Sequence, residues 1–180
     1  MKITYLHQYF VPPSAVGGTR SYEFARRLQS NGHDVHFITS SAFLPDDQAQ
    51  KYTKITHTEI ADIPMTVIPV QYSNKLSFNA RIRAFLKFAI ISSYYAAKQQ
   101  SDVIFATSTP LTIAIPGMIG HYIRRVPMVL EVRDLWPELP IAMGALNNPF
   151  LRQAALALEY RAYHSSEHVV ALSPGMAEGV

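Results

Sequence analysis

The chain has 180 residues, 48% hydrophobic, 16% charged and 11% aromatic, which suits one globular domain with a packed core and excludes a disordered or fibrous chain. It has no cysteine, so disulfide scaffolds, thiolate nucleophiles and cysteine-ligated zinc are excluded, and a reducing, cytoplasmic setting is expected. The net charge of +3 sits in one place: Lys75, Arg81, Arg83, Lys87 and Lys98 fall where no acid occurs between Asp62 and Asp102, which suits an anionic ligand or surface better than a nucleic acid.

The first strand is predicted over 2–7. His7 breaks the apolar run too early for a signal-peptide core, and no apolar stretch approaches the roughly 20 residues of a spanning helix. The loop from His7 to Gly18 leads into a helix over 19–31, closed by Asn31-Gly32, and then a second strand over 34–39, which completes a βαβ unit. Ligands of open parallel sheets bind at the carboxyl ends of strands, and a helix N-terminus offers free N–H donors and a positive dipole end. Gly17, Gly18 and Thr19 therefore form a candidate anion site, two glycines allowing close approach of a phosphate. The plainer alternative is a flexible turn, since neither G-x-G-x-x-G nor a Walker sequence is present.

Residues 40–54, with Pro45-Asp46-Asp47, read as an exposed loop, and 55–60 and 65–70 as short strands divided by Asp62-Ile63-Pro64. A long helix is predicted from Phe78 to about Gln99, with Ile82, Phe85, Leu86, Ala89, Ser93 and Ala96 on one face and Phe88, Ile91 and Tyr95 on another side. This basic helix is either a core helix with a solvated edge or an attachment to an anionic bilayer. In the second case Lys75, Arg81, Arg83 and Lys87 meet headgroups and Phe78, Phe85 and Phe88 the acyl boundary.

An apolar strand at 103–107 is followed by the hydroxyl cluster Thr107-Ser108-Thr109, which either caps the next helix or faces the cleft through Ser108 and Thr109. That helix runs to about Arg125, and a strand over 128–132 delivers Arg133, Asp134, Trp136 and Glu138 at its exit. Arg133 can bind phosphate bidentately, Asp134 can accept from a sugar hydroxyl or orient Arg133, and Trp136 can stack or anchor the loop. The competing arrangement is an internal Arg133–Asp134 pair with Trp136 plugging the core. A Pro-rich loop over 134–149, a helix over 149–165, a strand over 168–172 and a helix opened by Ser173-Pro174 complete an α/β pattern of a parallel sheet with helices on both faces. The last helix stops at Gly179-Val180, as in a domain excised from something longer. The histidines lack metal-ligand spacing and no G-x-S-x-G elbow is present, so neither a metal nor a serine nucleophile is expected.

Gly17-Gly18-Thr19-Arg20 with Phe24-Ala25-Arg26-Arg27-Leu28, Gly32-His33-Asp34-Val35, Asp102-Val103-Ile104, Val132 through Glu138, and Ala171-Leu172-Ser173-Pro174 follow an order that resembles the N-terminal half of a family 4 glycosyltransferase, most closely the bacterial surface-polysaccharide members. The resemblance implies one Rossmann-like half of a GT-B fold spanning 1–180, with a C-terminal nucleotide-sugar domain absent from this chain and the fragment inactive alone. It implies a retaining, metal-free hexosyl transfer from a nucleotide-diphosphate sugar to a saccharide or polyprenyl-diphosphate-linked acceptor of a capsule or lipopolysaccharide, at the inner face of the plasma membrane. Gly17 and Gly18 then abut the donor diphosphate, while Arg133 and Asp134 act at the reacting centre, Arg133 standing where many relatives carry a His. Such transfer requires cationic or N–H stabilisation of the departing diphosphate more than a strong base. Two alternatives are a non-catalytic flavodoxin-like anion- or nucleotide-binding module and an epimerase of GT-B fold.

Overall fold

Apolar residues occupy both alternating phases of the central strands, so both faces of a sheet must be covered by helices. In the computed structural model, which describes residues 1–45, 51–73, 75–142, 144 and 146–179, this is what forms. The strands are β1 (Lys2–Leu6), β2 (Asp34–Ser40), β3 (Thr56–Ile60), β4 (Ile63–Ile68), β5 (Val103–Thr107), β6 (Met128–Val132) and β7 (His168–Ala171). The helices are α1 (Arg20–Ser30), α2 (Phe78–Lys98), α3 (Ala114–Arg124), α4 (Glu138–Ala142), α5 (Pro149–His164) and α6 (Pro174–Ala177), with a 3-10 turn at Leu111–Ile113 before α3. The sheet order is β3-β4-β2-β1-β5-β6-β7.

The α/β expectation holds, with one correction. The sheet is mixed, because β3 runs antiparallel to β4 while every other pairing is parallel. The segment 62–64, expected to separate two strands, is the tight turn and first residues of a hairpin. Ala61 and Asp62 take φ of 51° and 61°, the left-handed pair that matches the twist of flanking strands. Pro64 is tolerated because it stands opposite Glu59 beside the hydrogen-bonded turn pair, and the ladder to β2 begins only at Met65. Of the expected loop over 40–54, residues 46–50 lie outside the described residues.

Two cores follow from strand parity. Ile3 and Tyr5 of β1 join Val35 and Phe37 of β2 beneath α1, whereas Leu6 and Ile38 join Ile104, Leu130 and the apolar faces of α2 and α3 on the other side. On α2 the buried residues are Ala84, Phe85, Phe88, Ala89, Ser92, Ser93 and Ala96. Leu86, expected in the core, is 46% exposed. Ser92 and Ser93 are accommodated because their hydroxyls donate to the Phe88 and Ala89 carbonyls at 2.7 and 2.6 Å. Helix α3 lies close against the sheet at Gly120, where a Cβ would stand 2.5 Å from Ile104 Cδ1. The Pro-rich loop after β6 contains the unexpected short helix α4.

Candidate functional site

The register pairs Leu6 with Ala106 and Thr107 with Glu131, so β1, β5 and β6 end at the same level. From β1 the sheet continues through β2 on one side and β5 on the other, a switch point at which the loops diverge and leave a crevice. A cavity of ≈ 400 Å³ occupies it, lined among others by His7, Tyr9, Gly18, Thr109, Arg133 and Asp134. The structure thus brings together the first-loop glycine and the charged residues after β6, which are more than a hundred positions apart in the chain.

Its far wall is braced by hydrogen bonds. Glu131 is fully buried and accepts from Arg20 Nε at 2.7 Å through one oxygen and from Thr107 Oγ1 at 3.0 Å through the other. The Tyr5 hydroxyl lies 3.4 Å from Thr107 Oγ1, and burial raises its pKa, so it stays protonated. Ser108 is also buried; its hydroxyl accepts from the Arg133 backbone N–H at 3.0 Å, so it fixes the start of the loop instead of facing an acceptor. Thr109 lines the cavity and donates to Asp134. None of these hydroxyls caps the following helical turn, whose cap position is Pro110. Asp134 is therefore held by Thr109, and among the described residues Arg133 makes no ion pair. The self-contained Arg133–Asp134 pair is not formed.

The near wall is open. Gly17 has a φ of 153°, and a Cβ there would meet Val11 at 3.2 Å. A Cβ at Gly18 would meet nothing nearer than Arg133 Nη2 at 4.0 Å, which puts the guanidinium across from the glycine loop. Thr19 is the N-cap of α1 but makes no side-chain cap, so the first-turn amides stay available to an anion or to water. His7, at the end of the first predicted strand and the start of the glycine loop, is buried with Nδ1 3.0 Å from Ser21 Oγ. Burial, and secondarily the Arg133 charge, lower its pKa to about 3, so it is neutral. Burial likewise raises the pKa of Tyr9. A Glu near the end of an apolar strand is the sequence signal for the Arg20–Glu131 brace; nothing comparable marks His7 or Tyr9.

The remaining candidates lie elsewhere. Trp136 lines an apolar pocket with Arg81 and Phe85 and is not among the residues that line the polar cavity. Glu138 is exposed at the start of α4, and its charge acts on Glu159 and Tyr163 of α5, away from Gly18 and Arg133. Lys75, Arg83 and Lys87 are exposed, Lys87 donating to the Pro69 carbonyl at 3.2 Å, whereas Arg81 is half-buried. Phe85 and Phe88 are in the core at 7% and 1% exposure, so of the expected acyl-facing residues only Phe78 is exposed, and the other exposed apolar residues of α2 are Leu86, Ile90 and Tyr94. Among the described residues no helix is long and apolar enough to cross a membrane, and no three His, Asp or Glu cluster as a metal set.

With this geometry in view, the similarities to known proteins take on structural meaning. No curated protein matches the sequence. Among solved structures, the sucrose-phosphate synthase of Thermosynechococcus elongatus shares the fold with a TM-score of 0.61 at 15% identity, over 98% of this chain and 43% of that one. A shorter chain of the same synthase gives 0.58 at 12% identity, over 98% and 79%. The present chain thus spans less than half of the longer synthase chain, and the likeness establishes a Rossmann-like half of the GT-B type. The profile of the glycosyl transferase 4-like domain matches residues 17–180, from the glycine loop to the end of the chain. The chain belongs to the glycosyl transferase 4-like family.

Proposed function

We propose that the chain is the acceptor-side domain of a retaining glycosyltransferase that moves a hexosyl group from a nucleotide-diphosphate sugar to a saccharide or lipid-linked acceptor of a bacterial surface polysaccharide, a second Rossmann-like domain supplying the nucleotide site. The observation that carries this reading is the apposition of an uncapped helix N-terminus at Gly18-Thr19 with the Arg133 guanidinium, which makes no ion pair among the described residues, across one cavity. In the transfer, the bond between the anomeric carbon and the phosphate oxygen breaks and its electron pair leaves with the diphosphate. The acceptor oxygen bonds to the anomeric carbon and gives its proton to the departing phosphate. Arg133 and the α1 amides stabilise the leaving charge, and Asp134, fixed by Thr109, accepts from a sugar hydroxyl. This assignment gives Arg133 a role that needs no proton transfer, in keeping with a guanidinium that stays charged. The exposed Lys75, Arg83 and Lys87 beside Leu86 and Ile90 would hold the enzyme at an anionic inner leaflet.

The test is product analysis with the complete enzyme over a panel of nucleotide sugars and acceptors. Wild type forms a glycosylated acceptor with retained configuration. Asp134→Asn lowers kcat about 100-fold while donor binding persists. Conversion of a nucleotide sugar to its isomer without acceptor would make the protein an epimerase, and nucleotide binding without turnover would make it a binding module.

A further inference from the structure

His7 follows β1 at the root of the glycine loop. Its backbone N–H still belongs to the sheet, donating to the Ile38 carbonyl at 3.2 Å, so the side chain stands on a rigid base. The residue is only 2% exposed, yet it lines the polar cavity together with Gly18 and Arg133.

The ring proton can be placed. Ser21, in the first turn of α1, is 1% exposed, and among the described residues the one partner of its hydroxyl is His7 Nδ1 at 3.0 Å. If Nδ1 carried the proton, it would donate to Ser21 and leave the hydroxyl proton buried without an acceptor, a costly state. With Nδ1 bare, Ser21 donates to it and both groups are satisfied. Burial, and secondarily the Arg133 charge, lower the pKa of His7 to about 3, so the ring is neutral and its single proton sits on Nε2. Among the described residues Nε2 has no hydrogen-bond partner, and unlike the side-chain amide of Gln8 it is not sealed from solvent, so it opens on the cavity.

A donor aimed into a cavity needs an acceptor from a ligand. The other groups that face Gly18 are donors as well: the first-turn amides of α1, which no side chain caps, and Arg133, whose Nη2 lies 4.0 Å from the Cβ position of Gly18. A sugar hydroxyl would bring a further proton into this set, whereas a phosphoryl oxygen brings only lone pairs.

We propose that His7, held in one tautomer by Ser21, donates its Nε2–H to a phosphoryl oxygen of the donor diphosphate between α1 and Arg133; this rests on the transferase reading above and adds a third donor to it. The bond strengthens as charge develops on the leaving oxygen, but an uncharged imidazole does not grip the released diphosphate as a second cation would. His7 takes no proton from the acceptor, because its one free lone pair is engaged by Ser21.

The test is nitrogen NMR of the full chain labelled at its seven histidines, with the His7 ring identified as the one absent from His7→Gln. The His7 ring is expected as the Nε2–H tautomer, unchanged between pH 5 and 8, and its Nε2 signals should move on titration with inorganic diphosphate. Asn places its amide where Nδ1 stands and falls short of the cavity, whereas the longer Gln reaches the position of Nε2. His7→Asn should therefore weaken diphosphate about tenfold, and His7→Gln less than about threefold. An Nδ1–H tautomer, ring signals that stay put at saturating diphosphate, or His7→Asn binding as tightly as wild type would overturn the proposal. None of these measurements involves transfer, so a binding module or an epimerase with a nucleotide diphosphate in this place would pass them. A transferase that keeps its diphosphate away from His7 would fail them and still glycosylate its acceptor.

Discussion

The polar cleft, with Arg133 and Asp134, and the apolar pocket, with Arg81, hold their charges in opposite ways. In the cleft each charge near the strand ends is positioned through a neighbour: Glu131 by Arg20 and Thr107, Asp134 by Thr109, and Arg133 through its backbone on Ser108. In the apolar pocket Arg81 is half-buried and shares the lining with Phe78, Ile82 and Phe85, and among the described residues its Nε has no hydrogen-bond partner. The first arrangement suits a reaction in which charge develops at a fixed point, because preorganised groups do not have to reorient in the transition state. The second suits recognition of a ligand that brings its own counter-charge. Stability should therefore depend heavily on the cleft braces and little on Arg81.

The largest effect expected is on Arg20. Glu131 is fully buried while the Arg20 side chain is 40% exposed, so the two halves of the pair are not equivalent. Arg20→Ala strands a carboxylate in the sheet with only the Thr107 hydroxyl, at a cost of about 3–5 kcal/mol. Glu131→Gln costs less, because Arg20 can turn to water and the amide still accepts from Thr107. Urea denaturation of both variants checks the asymmetry. Equal losses, or a loss below about 1 kcal/mol for Arg20→Ala, would show that the cleft wall is not braced by charge and would erase the contrast with Arg81.

A smaller effect separates the two regions by pH. The pKa of His7 falls from 6.5 to about 3 through burial and the nearby Arg133. As pH drops below 6.5 the unfolded chain takes up a proton that the folded one refuses, so folding stability declines at up to about 1.4 kcal/mol per pH unit until about pH 3. Between pH 6.5 and 5 the wild type should lose roughly 1.5 kcal/mol that His7→Asn does not lose. Arg81→Gln should retain the wild-type slope, since the guanidinium stays charged throughout. A His7→Asn variant with the same acid dependence as wild type would place the proton uptake elsewhere.

Much of this architecture was legible because its signals are local. Strands β1, β2, β5, β6 and β7 and helices α1, α3, α5 and α6 announce themselves by apolar runs, caps and turns such as Asn31-Gly32 and Ser173-Pro174. The β3–β4 hairpin was hidden by Pro64, which reads as a break unless the ladder partner on each side is known. Helix α2 carries apolar residues on two sides, and periodicity alone could not decide that Phe88 goes inward and Leu86 outward. The same ambiguity made Phe85 and Phe88 candidates for a membrane face. In the site, Arg133 and Asp134 were legible as charges at the exit of an apolar strand, a place where charge needs a reason. Ser108 and Glu138 were not separable from them, because which way a loop residue turns depends on partners distant in sequence. His7 and Arg81 owe their properties to burial by remote elements, which no spacing along the chain expresses.

The smallest effect sharpens the comparison within the cleft itself, between two adjacent glycines. Gly17 combines a φ of 153° with Val11 at 3.2 Å from a would-be Cβ, so Gly17→Val strains the backbone and should lower the melting temperature. Gly18 has ordinary van der Waals room, its Cβ position facing Arg133 Nη2 at 4.0 Å, so Gly18→Val should melt like the wild type. Its methyl groups, however, would occupy the space between the uncapped α1 amides and the guanidinium, where the donor diphosphate is proposed to lie. In the complete enzyme the Kd for the nucleotide sugar should rise about tenfold, the equivalent of losing one good contact to a charged group. Unchanged donor affinity in a normally melting Gly18→Val would mean that the phosphate does not approach this loop, and Arg133 would then have to act on the sugar without help from α1.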